Sequence, residues 1–134
     1  MRFQHFDIRP GKIPRTARSL KYARRSKCVV LPLVLKSRWY DAIEMGAKAE
    51  EYRTSTNVVR MIQRWWGECE IEDRFPVVEF RRGYRADAPR MIWFVSGVYS
   101  RGAGCYADPE MGEPTDRPHY AIALGERIEL KDDQ

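Results

Sequence analysis

The sequence predicts an α+β fold, a small mixed β-barrel flanked by two or more short helices. Two strand–helix pairs come first along the chain and are followed by strand-like segments alone, unlike the regular alternation of a doubly wound sheet. The sequence contains neither a GxGxxG motif nor a P-loop, the glycine-rich signatures of nucleotide-binding α/β folds. A chain of 134 residues, 43% of them hydrophobic, is long enough for one domain with its own core.

The first half of the domain is predicted to contain two strands and two helices. The longest apolar run, CVVLPLVL at residues 28–35, predicts a strand buried on both faces. Ser37 is placed to cap a short helix, RWYDAIEM, and Gly46 ends it where a left-handed residue is needed. The alternating segment AKAEEYR predicts a half-exposed strand. A second helix, VVRMIQRWW, follows a TSTN cap, and GECEIEDRF is interpreted as a polar connection.

The second half is predicted to contain strands and loops. PVVEF at residues 76–80 and MIWFVSGVY at residues 91–99 predict strands that are joined by a turn-rich loop, RRGYRADAP. A loop dense in Gly and Pro follows, at residues 100–118. HYAIALGERIEL then closes the fold as one or two strands, and KDDQ is a tail.

Positive charge is concentrated at the N-terminus. Residues 1–27 carry nine Arg and Lys against Asp7 alone, a net charge of +8, whereas the remaining 15 basic and 18 acidic residues give −3. Pro and Gly without an apolar period predict a flexible, unstructured arm at 1–27, followed by the folded domain at 28–134. Such an arm neutralises phosphates and should lose affinity steeply with salt, so RNA or single-stranded nucleic acid is the expected partner. A solvated leader without a partner is the alternative.

The cysteines and histidines do not form a metal-binding pattern. Cys28, Cys69 and Cys105 are widely spaced, and the two histidines lie far apart. We therefore expect no cofactor, reduced thiols and a cytoplasmic location. No run is long and apolar enough for a membrane span and no signal peptide is visible, so no membrane partner is expected. The sequence leaves the oligomeric state open.

Three segments together resemble a known family. LPLVLKSRWYDAIEMGAKAEEYR resembles the start of an ASCH domain, part of the PUA-like superfamily, whose pattern G-x-K-x-x-x-x-R is here Gly46, Lys48 and Arg53. VVEFRRGYRADAPRMIWFVSGV and HYAIALGERIEL resemble the later strands of the phage-type branch, in the same order. The resemblance implies a PUA-like β-barrel with a nucleotide-sized cleft beside the motif.

The resemblance also implies a role linked to RNA: binding it, cleaving it, or deacylating 4-acetylcytidine. The deacylating branch uses the motif Lys, a Thr three residues later and a distant Glu. Lys48 carries over, but Glu51 occupies the Thr position, which weighs against an amidohydrolase. Whether the protein is an enzyme stays open, with a ribonuclease as the favoured activity and a protein-interaction adaptor as a further alternative.

The charges of the motif could be arranged in two ways. Alternation along a strand would let Glu51 pair with Arg53 and leave Lys48 free to meet a phosphate. A bulge would bring Lys48 to Glu51 instead. The sequence does not choose between these arrangements, and a solvated strand is the structural alternative to both.

These observations give a set of candidate site residues. The candidate catalytic residues are Lys48, as a phosphate ligand or base, and Glu51, as general base towards a ribose 2′-hydroxyl. The loop RRGYR combines an aromatic side chain with arginines, and such combinations hold single-stranded nucleic acid. The alternative is that this loop is a solvated hairpin tip. The candidate RNA-binding residues are Lys48, Arg53, Arg82, Tyr84 and Arg85. His119 could be a general acid, but a structural role is expected.

Overall fold

The structure, a computed structural model, describes residues 21–133, which form a six-stranded mixed sheet with two α-helices. The α+β class is therefore confirmed. The strands are β1 (Tyr22–Arg24), β2 (Cys28–Leu35), β3 (Glu50–Arg53), β4 (Phe75–Arg82), β5 (Arg90–Arg101) and β6 (His119–Lys131). The helices are α1 (Ser37–Glu44) and α2 (Thr56–Glu72), and short 3₁₀ turns lie at Arg25–Lys27 and Pro109–Met111.

The sheet has the order β1-β6-β5-β4-β2, and β3 also pairs with β6. Strands β4, β5 and β6 form an antiparallel meander, whereas β2 is parallel to β4. Strand β5 pairs along one edge of β6. Strand β3 pairs with residues 120–123 of β6, and β1 pairs with residues 129–131. The central meander therefore carries the short strands and fixes where they lie.

The sheet does not close into the predicted barrel within residues 21–133. Among the strands of this described part of the chain, β2 pairs only with β4 and β3 pairs only with β6, so these two strands leave an open seam. Pro32 in β2 lacks a backbone N–H, which suits an edge strand. Across the seam the Arg53 side chain donates a hydrogen bond to the Val34 carbonyl (3.0 Å). This side-chain contact joins the two strands where they have no backbone pairing.

Two apolar clusters hold the fold together. The larger one joins both helices to the sheet and includes Ile43, Ile62 and Trp65. The smaller one contains Val77 and Phe94, whose neighbours Val78 and Val95 belong to the larger cluster. Because successive strand residues point to opposite faces, the two clusters lie on opposite sides of the sheet.

Helix α1 ends as predicted, but it begins differently. Gly46 has φ of +82°, the left-handed conformation expected after the last turn. The N-cap position is taken by Lys36, and Ser37 is the first helical residue instead of the cap. The helix therefore begins without a side-chain cap.

Helix α2 is longer than predicted, because residues 67–72 continue it instead of forming a connection. Cys69 is buried on the same face as Trp65 and Trp66, so the helical apolar pattern extends through this polar-looking segment. Asp73 then ends the helix with φ of +54°. None of the helices within residues 21–133 is long and apolar enough to cross a membrane.

Part of the predicted N-terminal arm belongs to the sheet. Tyr22–Arg24 forms β1 and lies parallel to the end of β6, with Tyr22 opposite Glu129. The Lys131 ammonium lies 4.2 Å from the centre of the Tyr22 ring. The folded unit therefore begins before residue 28, and the remaining expectation of a flexible arm falls on residues 1–20, outside the described residues.

We expect Ile62→Ala to lower the free energy of unfolding by about 2–5 kcal/mol, because this side chain is fully buried between α2 and the sheet. The neighbouring Met61 is 36% exposed on the same helix, so Met61→Ala should change it by only about 0.5 kcal/mol. Urea unfolding of both variants measures the difference. Equal effects would show that the helix does not pack as described.

Candidate functional site

A cleft of about 830 Å³ lies at the open seam between β2 and β3. Its walls come from the ends of these strands, the starts of α1 and α2, and the tip of the β4–β5 loop. This volume lies within the roughly 300–1,000 Å³ of small-ligand sites. The wall combines aromatic rings with charged groups, which are Trp39, Tyr52, Tyr84, Lys36, Glu51 and Arg53.

Glu51 is a buried carboxylate held between two cations. One carboxylate oxygen lies 3.2 Å from Lys48 Nζ, and the other lies 2.9 Å from Arg53 Nη2. Both pairings that the sequence left as alternatives therefore occur together. They are compatible because β3 begins at Glu50, so Lys48 precedes the strand and can turn back towards Glu51.

Lys48 lies behind the wall of the cleft and is only 3% exposed. Its ammonium donates to the Met111 carbonyl (2.6 Å) and lies 4.3 Å and 4.8 Å from the ring centres of Trp39 and Tyr52. Burial lowers the pKa of Lys48, while the Glu51 carboxylate opposes this shift. The position makes Lys48 the counter-ion of Glu51, with aromatic faces completing its surroundings.

Arg53 connects the buried carboxylate to the opposite edge of the seam. Its Nη2 is shared between Glu51 and the Val34 carbonyl. Its Nε is buried and has no hydrogen-bond partner among residues 21–133. Two contacts therefore fix the guanidinium at the cleft wall, while part of its donor capacity is unused.

The loop between β5 and β6 covers the inner side of the site. Gly112 has φ of +90°, and a Cβ there would lie 2.9 Å from a ring carbon of Trp39. Only glycine therefore allows the backbone to approach this indole so closely. The same approach brings the Met111 carbonyl to Lys48, so the loop and the buried cation depend on each other.

Glu113 anchors this loop. Its buried carboxylate accepts hydrogen bonds from His119 Nε2 (2.8 Å), Arg101 Nη1 (2.6 Å) and the backbone amides of Ala107 (2.7 Å) and Asp108 (3.0 Å). Burial opposes ionisation, but these hydrogen bonds prevail and lower the pKa of Glu113 to about 2.

Arg101 and Glu50 connect Glu113 to Tyr52 in the cleft wall. The Arg101 guanidinium donates to both carboxylate oxygens of Glu50 at 3.0 and 2.9 Å, and these hydrogen bonds raise the pKa of Arg101 against the effect of burial. Glu50 also accepts from the Tyr52 hydroxyl (3.0 Å). A chain of charged groups thus joins the β5–β6 loop to β3.

The structure brings three predicted residues together and separates the others. Lys48, Glu51 and Arg53 form one cluster at the seam. Tyr84 is 86% exposed at the rim of the cleft, on the β4–β5 loop. Most of its side chain is therefore accessible to a ligand.

Arg82 and Arg85 lie outside the cleft wall. Arg82 forms a two-pronged pair with Asp41 of α1, at 2.9 and 3.1 Å. Arg85 is exposed, with its Nε 3.4 Å from Asp87. Neither guanidinium points to the Glu51 cluster, so their proposed contacts with RNA would be made outside the cleft.

Sequence reasoning missed the residues that support the site. Glu50, Arg101 and Glu113 were not singled out, because they are distant in sequence and follow no shared motif. Trp39 was predicted only as a residue of the first helix, although it lies in the cleft wall and contacts Lys48. His119 is fully buried between Glu113 and the Arg117 carbonyl, which agrees with the expected structural role.

Residues 21–133 contain no group of three or more His, Cys, Asp or Glu that could hold a metal ion. Comparisons with protein-family models, curated proteins and solved structures find no match for this chain. A function is therefore inferred from the chemistry of the cleft.

The lowered pKa of Glu113 predicts that the stability of the protein depends on pH. The pKa of Glu113 is about 2 in the folded protein and ordinarily 4.5, so its contribution is complete above pH 4.5 and is lost as the pH falls towards 2. That contribution is about 3 kcal/mol. Glu113→Gln should remove it, whereas Glu110→Gln, on the exposed side of the same loop, should not.

Urea unfolding between pH 2 and pH 7 measures this effect. We expect the stability of Glu113→Gln to fall less than that of wild type across the acidic range. Parallel curves for the two proteins would contradict the assigned hydrogen bonds.

Proposed function

We propose that the protein is an RNA-binding domain that holds one nucleotide of a single strand in the cleft at the seam. One observation carries this proposal: the exposed ring of Tyr84 and the fixed guanidinium of Arg53 line the same cleft. An aromatic face stacks a base of any sequence, and a guanidinium pairs with a phosphate. The two groups together match the two chemical parts of a nucleotide.

The charge of the cleft wall supports an anionic ligand. Two cations, Lys48 and Arg53, share the single carboxylate of Glu51, and Lys36 adds a further cation at the rim. The wall is therefore better suited to a phosphate than to a neutral or cationic group.

We also propose that the domain belongs to the ASCH family and has the PUA-like fold of that family. The support for this assignment is that Lys48 and Arg53, two fixed residues of G-x-K-x-x-x-x-R, both contact Glu51, while Gly46 turns the chain between α1 and β3. The cytoplasmic location is proposed from the cysteine content alone.

The basic N-terminal residues would add affinity that does not depend on sequence. Because β1 belongs to the sheet, a truncation that tests this contribution should end at residue 20 and not at residue 27.

We expect Tyr84→Ala to weaken binding of single-stranded RNA by about 1–3 kcal/mol, because it removes the stacking face at the rim. Tyr106→Ala is the matched control, since this half-exposed tyrosine lies outside the cleft wall. Fluorescence anisotropy with a labelled oligoribonucleotide measures both. Equal losses, or none, would count against a nucleotide in this cleft.

RNA cleavage is a second candidate function, favoured by the position of Glu51. This carboxylate lines the cleft beside the Arg53 guanidinium, so it could accept the proton of a 2′-hydroxyl while the guanidinium stabilises charge on the phosphate. Deacylation of a modified nucleoside is less well supported, because Glu51 occupies the position of the expected Thr.

If the protein cleaves RNA, Glu51→Gln should lower the rate by roughly 10²–10⁴-fold, the usual contribution of a general base. Glu110→Gln controls for the loss of one carboxylate, and retained RNA binding by Glu51→Gln would show that the cleft is intact. Gel assays of cleavage by purified protein measure the rates. Unchanged cleavage in Glu51→Gln would show that Glu51 is not the general base.

A further inference from the structure

Glu51 presents a hydrogen-bond acceptor to the cleft, although most of its carboxylate is enclosed. It is one of the residues that line the cleft, and it is only 5% exposed. Lys48 Nζ lies 3.2 Å from one carboxylate oxygen, and Arg53 Nη2 lies 2.9 Å from the other. A carboxylate has about four acceptor positions on its two oxygens, and the described residues supply no further hydrogen bond to Glu51. Acceptor capacity therefore remains at the cleft wall.

The chemistry of this acceptor restricts the ligand groups that it can bind. An ionised carboxylate accepts hydrogen bonds and donates none, so it repels phosphate and carbonyl oxygens and attracts a donor. Because so little of Glu51 is exposed, a small donor such as a hydroxyl reaches it more readily than the flat edge of a base. The ligand group that suits this part of the wall is thus a hydroxyl.

The two contacts already proposed locate such a hydroxyl in a nucleotide. With the base stacked on Tyr84 at the rim and a phosphate paired with Arg53, the sugar lies between these two residues. Glu51 contacts Arg53 directly, which places its carboxylate beside the bound phosphate. In RNA the 2′-hydroxyl is on the sugar carbon next to the one that carries the 3′-phosphate. A 3′-phosphate at Arg53 therefore brings a hydroxyl donor close to Glu51.

We propose that Glu51 makes the cleft selective for ribose over deoxyribose by accepting a hydrogen bond from the 2′-hydroxyl of the bound nucleotide. The inference rests on the proposed RNA-binding function and deepens it, because stacking on Tyr84 and pairing with Arg53 would serve DNA equally well. The 2′-hydroxyl is the group by which a protein distinguishes RNA from DNA at a given position. This contact is one of recognition, so it does not require that the strand be cleaved.

A deoxyribose would leave this acceptor without a donor. A bound nucleotide covers the cleft wall and displaces water from Glu51, so a missing hydroxyl leaves a charged acceptor incompletely satisfied. Sites that are built to hydrogen-bond a hydroxyl reject analogues that lack it for this reason. Because hydrogen bonds to charged groups are the stronger class, we expect a preference for ribose of roughly 10–100-fold in affinity.

The first test uses wild-type protein and three ligands that differ only in the group at the 2′ position. They are adenosine 3′-monophosphate, its 2′-deoxy analogue and its 2′-fluoro analogue, and NMR titration of the backbone amides gives the affinity of each. The fluoro analogue keeps a sugar conformation like that of RNA but cannot donate a hydrogen bond. We therefore expect both analogues to bind in the cleft roughly 10–100-fold more weakly than the ribonucleotide.

The second test changes the acceptor. Glu51→Gln keeps the length of the side chain but replaces one acceptor oxygen with a donor group, so most of the preference for ribose should disappear. Glu110→Gln removes an exposed carboxylate outside the cleft wall and should retain the preference. Circular dichroism checks that both variants fold, and the ligand series on wild type gives its answer independently of either variant.

The outcomes separate this inference from the proposed function. If the ribonucleotide and the deoxynucleotide bind in the cleft with equal affinity, the selectivity is overturned while the nucleotide site stands. A fluoro analogue that binds as well as the ribonucleotide, or a ribose preference that is unchanged in Glu51→Gln, overturns the role of Glu51 in the same way. If wild type binds none of the three ligands, the proposed function fails and the ribose selectivity fails with it.

Discussion

The buried carboxylate of Glu51 is the constraint on which the site depends. Taking a carboxylate and an ammonium out of water costs several kcal/mol for each ion unless both are paired. Lys48 and Arg53 provide that pairing from the two sides of Glu51. The cluster therefore holds only while β3, the segment before it and the edge of β2 keep their relative positions.

That requirement explains the conformation of the β5–β6 loop. The buried Lys48 ammonium needs a further acceptor, and the loop supplies it through the Met111 carbonyl. The close contact of Gly112 with Trp39 allows the loop to approach this closely. Glu113 then fixes the loop from within. A segment rich in Gly and Pro, which has no periodicity of its own, is thus ordered by the charges that it encloses.

The seam between β2 and β3 converts this buried cluster into a binding surface. A continuous ladder would bring the two strands together and leave no room for a ligand. The Arg53 side chain instead spans the gap and keeps its guanidinium at the cleft wall. The same interaction therefore holds the edges of the sheet and presents a cation to the cleft.

The sequence predicted the parts of the fold that follow local rules. The strands β2, β4 and β5 were predicted from apolar runs. Alternation along one strand offered the pairing of Glu51 with Arg53 as one of two alternatives, and the structure contains both pairs. The full length of α2 was missed because only the buried face of residues 67–72 is apolar. Strand β1 was missed because its pairing with β6 is set by distant contacts that charge composition does not reveal.

The site was predicted to a similar extent and for similar reasons. Lys48, Glu51 and Arg53 lie close in sequence, so a motif could identify them, and Tyr84 could be recognised as an exposed loop aromatic. Glu113 and Arg101 depend on the folded path of the β5–β6 loop. The burial of Lys48 behind Trp39 likewise requires the three-dimensional arrangement, because a lysine in isolation is expected to be exposed.

The most direct test of the account is to locate a bound nucleotide on the protein. Titration of isotopically labelled protein with adenosine monophosphate, followed by NMR of the backbone amides, gives the position without any mutation. We predict saturable shifts concentrated at residues 34–39, 51–55 and 83–84, which surround the cleft. Saturable shifts centred elsewhere, or none at all, would contradict a nucleotide site at the seam.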